Sequence, residues 1–120
     1  MPKPVVHFEI CGSDYQKTKQ FYGELFEWSP QEWDGGGMPY GMVEAAGDRA
    51  IGGGLMATDG KFPTYVTFYV QVDDLQAYLD KAEKLGGKTI MPPTPIPGVG
   101  ASAMFADPDG NMIGLFKQGE

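Results

Sequence analysis

Matching residues in this chain recur at a spacing of 60: Phe8 with Phe68, Asp14 with Asp74, Gln16 with Gln76, Leu25 with Leu85, and Gly54-Leu55 with Gly114-Leu115. That offset is half of the 120-residue chain. A fixed period limits the fold to copies of one supersecondary unit. The shared offset at both ends of the unit argues against coincidence between generic strand–helix starts.

Each pass reads as strand, helix and three strands. Val5–Cys11 alternates, with Val6, Phe8 and Ile10 on one face and Val5, His7, Glu9 and Cys11 on the other. Ser13-Asp14-Tyr15-Gln16 has the form of a capping box. Thr18, Phe21, Tyr22, Leu25 and Phe26 then form one helical stripe. Trp28–Trp33 is a short strand interrupted by Pro30, Gly35-Gly36-Gly37 a turn, and Met38–Ala45 and Ala50–Met56 strands. The second pass opens with Thr64–Val72, whose faces are Val66, Phe68, Val70 and Val72 against Tyr65, Thr67, Tyr69 and Gln71. Asp73-Asp74-Leu75-Gln76 starts a helix with the stripe Leu75, Tyr78, Leu79, Ala82 and Leu85, and Gly86-Gly87 stops it. Lys88–Met91, Ala101–Ala106 and Met112–Phe116 are strands, with Pro92–Gly100 a stiff connection. In each unit the apolar face is expected to meet the helix. Pairing two such curved sheets leaves a cup between their other faces, lined by His7, Glu9, Thr67 and Tyr69.

Charge and cysteine content narrow the partners. A net charge of −7 argues against nucleic acid or an anionic membrane, which need a basic face. No apolar run approaches the ~20 residues of a membrane span, and no signal peptide is visible. One cysteine and one histidine allow neither an internal disulfide nor a Cys/His zinc cluster, which fits a cytoplasmic protein.

The stretch Phe105–Phe116, FADPDGNMIGLF, sets a turn before the last strand. Pro108 fixes φ, Gly110 supplies positive φ, and Asp107 and Asn111 bond their own backbone. This fragment resembles the signature of the vicinal oxygen chelate superfamily, which holds glyoxalase I, bleomycin-resistance proteins and extradiol dioxygenases. Pro92–Gly100, PPTPIPGVG, is similar to a glyoxalase-related branch. The resemblance implies an α+β fold, with two βαβββ modules over residues 1–60 and 61–120 forming a half-open eight-stranded barrel. It also implies four metal positions, two on the first strands and two on the last. Carried over, these are His7 and Thr67, then Gly54 and Gly114. Only His7 is a ligand by chemistry, so no divalent metal and no cofactor is expected.

The expected function is a glyoxalase- and bleomycin-resistance-like protein that holds a small organic molecule in the cup. His7, Glu9, Thr67, Tyr69, Tyr40, Met104, Gly114 and Phe116 are the candidate contacts, and Gly54 and Gly114 would leave room. Glu9 and His7 are the candidate catalytic pair, because a carboxylate on an apolar wall makes a base or a polar anchor. Glu9 bonded to Tyr69, its symmetry counterpart, or to solvent is the alternative. A lyase, isomerase or dioxygenase and a non-enzymatic interaction module are the other readings. A homodimer is expected, two-fold pairing being the default for homo-oligomers.

Overall fold

The computed structural model describes residues 2–33 and 38–119; the expected turn at Gly35-Gly36-Gly37 lies outside them. The elements run β1 (Val5–Gly12), α1 (Tyr15–Phe26), β2 (Gln31–Trp33), β3 (Tyr40–Val43), β4 (Gly52–Ala57), β5 (Tyr65–Gln71), α2 (Leu75–Lys84), β6 (Lys88–Ile96), β7 (Gly100–Ala106) and β8 (Met112–Gln118). This is the βαβββ unit twice, as the repeat requires. Contacts divide the chain into His7–Val66 and Met1–Val6 with Thr67–Glu120. The N-terminal segment joins the second of these through Gln71 N–H donating to the Pro4 carbonyl at 2.9 Å.

The two units are wired alike. In the first, β1 runs parallel to β4, β4 antiparallel to β3, and β3 antiparallel to β2. In the second, β5 runs parallel to β8, then β8–β7 and β7–β6 are antiparallel. Register preserves the repeat residue by residue: Glu9 pairs with Gly54, and Tyr69 with Gly114. No helix among the described residues is long and apolar enough to cross a membrane.

Both helices begin one residue later than the capping motifs suggest. Asp14 accepts from Lys17 N–H at 3.1 Å and Asp74 from Ala77 N–H at 3.0 Å. Each aspartate is the N-cap, with extended backbone, so Ser13 and Asp73 stand outside. The reason lies in the donors: the N3 amide of each helix faces the second residue of the motif, not the first. α2 leaves its last turn at Gly86, φ 102°, whereas α1 ends on Glu27 at φ 60°.

Two expectations about faces and loops need correction. The prolines at 92, 93 and 95 lie within strand β6, which continues to Ile96 with register shifts between Thr89 and Thr94. Proline is tolerated there because β6 is the outermost strand of its unit, where one row of N–H groups needs no partner. The apolar alternate face is also less covered than expected: Val66 is 72% and Phe68 39% exposed. On α1, Tyr22 and Phe26 turn toward Trp28, which also meets Phe8 at 5.4 Å between ring centres. That cluster takes up only part of the stripe and leaves Phe21 and Leu25 outside, 59% and 57% exposed. The second unit follows expectation more closely, with Val72, Leu75, Leu79, Ala103 and Leu115 forming its core.

Candidate functional site

In the first unit, His7 and Glu9 project from one face of β1, two residues apart. Their register neighbours on β4 are Gly52 and Gly54, and Gly54 in turn pairs with Met42 on β3. Tyr40 lies two residues before Met42, on the same face, so its ring reaches back across β4. A Cβ on Gly54 would come within 1.9 Å of the Tyr40 hydroxyl oxygen. The glycine is what lets the phenol reach β1.

There the Tyr40 hydroxyl donates to Glu9 Oε1 at 2.9 Å and lies 2.8 Å from His7 Nε2. The Tyr65 hydroxyl donates to Glu9 Oε2 at 2.5 Å. Glu9 is 4% exposed, and these charge-assisted bonds offset much of the cost of burying a carboxylate. Proton accounting fixes the rest. If Glu9 accepts from Tyr40, the tyrosine has no proton left for His7, so His7 donates from Nε2 and Nδ1 is the ring's acceptor. Burial holds the His7 pKa below the usual histidine value, against the opposing pull of Glu9. Trp33 packs edge-on against Tyr40 at 6.1 Å between ring centres, and Met56 Sδ sits 3.7 Å from the Tyr65 hydroxyl.

Cys11, two residues past Glu9 on the same face, is 1% exposed. Burial, reinforced by the Glu9 charge, pushes its thiol up to about 11. It is not a nucleophile at neutral pH.

The second unit holds the other candidates. Tyr69, Gly114 and Met104 form one row across β5, β8 and β7, with Phe116 two residues along on β8. A Cβ on Gly114 would lie 2.4 Å from the Tyr69 ring. Thr67 is buried and donates to the Met112 carbonyl at 2.6 Å.

These contacts bear on the metal positions that the resemblance implied. A glutamate at Gly54 or Gly114 would need space that the Tyr40 and Tyr69 rings occupy, and the Thr67 hydroxyl is committed to the backbone. The residues present therefore do not fit a metal at these four positions. Among the described residues no three His, Cys, Asp or Glu side chains cluster as a metal site. The expectation that the two glycines enlarge a cavity is likewise corrected: tyrosines fill the space. Tyr65 was not among the candidates nominated from sequence. Its signal was present, since it shares the alternate face of Thr67 and Tyr69.

Comparison with known proteins follows the same lines. The family model described as Glyoxalase/Bleomycin resistance protein/Dioxygenase superfamily matches residues 5–115. A provisionally named glyoxylase of Mycobacterium bovis is 33% identical over 114 residues, 91% of this chain but 43% of that protein. A glyoxylase-like domain-containing protein of Didymella fabae is 30% identical, covering 86% of this chain and 84% of its own length. An anthracycline biosynthesis protein of Streptomyces peucetius is 26% identical, over 93% of this chain and 46% of that protein. The chain thus spans less than half of two of these relatives. Among solved structures, methylmalonyl-CoA epimerase from Mycobacterium tuberculosis superposes with a TM-score of 0.69 at 17% identity, covering 97% of this chain and 88% of that one. At that identity the likeness is one of fold.

Proposed function

The chain belongs to the glyoxalase/bleomycin resistance protein/dioxygenase superfamily, and from that premise we propose that it binds a small organic molecule without a metal, on the face carrying His7, Tyr40, Glu9 and Tyr65. The observation that carries this reading is the buried Glu9 held by two phenols, with His7 2.8 Å from one of them. The relatives are named as glyoxylases and an anthracycline biosynthesis protein, which supports a small organic ligand. The exposed Phe21 and Leu25 on α1 support a homodimer; light scattering that finds only monomer at micromolar concentration would refute that part.

A second reading, an enzyme catalysing proton transfer in the manner of a lyase or isomerase, is favoured by the same chain. A proton taken by His7 Nδ1 from a bound carbon acid is matched by transfer of Nε2–H to the Tyr40 oxygen. The Tyr40 proton then passes to Glu9 Oε1. The net result is a protonated Glu9, a neutral His7 in its other tautomer, and a carbanion left on the ligand.

A thermal-shift screen of small carboxylic acids, ketones and thioesters tests both readings. A ligand present at a hundred times its dissociation constant stabilises by about 2.7 kcal/mol. Hits should weaken in Glu9→Gln, and turnover, where present, should disappear in Tyr40→Phe while binding persists. Hits indifferent to both substitutions would refute this site. Elemental analysis of untagged protein should find no stoichiometric zinc, nickel, iron or manganese; a molar equivalent lost in His7→Ala would overturn the metal-free reading.

A further inference from the structure

The second unit contains a cavity of about 380 Å³ between α2 and its sheet, away from every residue of the Glu9 site. Its origin is in the helix stripe. Leu75 and Leu79 fill the first two turns of the helix–sheet contact, 5% and 1% exposed. The next stripe position is Ala82, too short to reach the sheet. The gap is walled by Val70, Tyr78, Leu85, Phe105 and Leu115, all apolar or aromatic.

Its polar groups are few and mostly of one sign. Lys81 comes from α2, and Lys3 from the N-terminal segment that the Pro4 carbonyl ties to β5. Neither lysine forms an ion pair among the described residues. Asp107 also borders the cavity, but its carboxylate already accepts from Asp109 N–H, Asn111 N–H and the Asn111 side chain. Two of only nine cationic side chains, in a chain with sixteen acidic ones, thus border one apolar hollow. Its volume lies at the lower end of the ~300–1,000 Å³ range of small-molecule sites.

We propose that this cavity is a second binding site, for a medium-chain monocarboxylate whose hydrocarbon tail fills the gap over Ala82 and whose carboxylate meets Lys3 and Lys81. The apolar walls select a tail, and the two ammonium groups select an anionic head.

Calorimetry on the full chain tests this with octanoate, 1-octanol and octylamine. Octanoate should bind roughly tenfold tighter than the alcohol, as expected for one or two charge-assisted hydrogen bonds, and octylamine should not bind. Hexanoate should be about fifteenfold weaker than octanoate, because each of the two buried methylenes it lacks contributes about fourfold in affinity. Lys3→Ala with Lys81→Ala should bring octanoate down to the level of octanol. Ala82→Leu should abolish both, and amide shifts on octanoate addition should centre on Tyr78, Leu85 and Phe105 in the unmodified chain. Equal binding of octanoate and octylamine, no octanoate binding at millimolar concentration, or shifts centred on His7 and Tyr40 instead would each overturn the assignment.

Discussion

At the scale of single residues, two glycines decide where two tyrosines go. Gly54→Ala would push the Tyr40 ring from its place and break its bonds to both Glu9 and His7. Overpacking of this kind costs about 1–3 kcal/mol. We expect the loss to be largely absent in a Tyr40→Ala background, so that a double-mutant cycle by urea denaturation shows strong coupling; additive effects would mean that the ring is not held as described. Gly114→Ala with Tyr69→Ala should couple in the same way. The glycines themselves were legible as the family's last-strand positions. What fills their space was not, because it depends on a side chain from the neighbouring strand and thus on the register of β3 with β4 and of β5 with β8. That Glu9 and His7 share one face of β1 was legible because period-two alternation is local. Tyr65 was passed over because sharing a face does not reveal which neighbour a hydroxyl will reach.

At the scale of elements, the repeat was readable almost to the residue, since strand pattern, helix stripe and turn chemistry are all short-range signals. The turn at Asp107 forms as its residues dictate: Gly110 takes φ 91°, and the Asp107 carboxylate gathers three donors. Helix starts were displaced by one residue because two adjacent capping residues compete, and only the backbone settles which amide faces which oxygen. Substitution can check that assignment. Asp14→Ala and Asp74→Ala should each cost about 1 kcal/mol of stability, while Ser13→Ala and Asp73→Ala should change the denaturation midpoint little. The reverse order would return the caps to the positions read from sequence. The prolines of β6 were misread for a different reason. Proline excludes a strand only where its missing N–H is needed, and need is set by the neighbouring strands.

For the whole molecule, the half-buried His7 makes stability depend on pH. The folded-state pKa of His7 lies below its unfolded value near 6.5. Below that value the unfolded chain binds the proton more readily, so ν_U exceeds ν_N and stability rises with pH. The contribution is therefore complete above about pH 7 and declines as pH falls through 6.5 toward the folded pKa. Denaturant midpoints measured between about pH 5 and pH 8 should show this slope, and His7→Gln should flatten it. A slope unchanged in His7→Gln would refute the assignment to His7; Glu32, whose pKa is held down by Lys19 and Tyr15, contributes only at lower pH, below its unfolded value.

The outermost strand of the second unit has a consequence for how copies of the chain can meet. A bare strand edge is a template on which another chain can extend the sheet, and growth by that route leads to fibres. Pro92, Pro93 and Pro95 remove three amide donors from β6, and its shifts of register bend the remaining ones out of line. A foreign strand laid along β6 finds too few donors to bind. This border of the sheet therefore offers little to a further strand, and the prolines guard the edge against growth of the sheet.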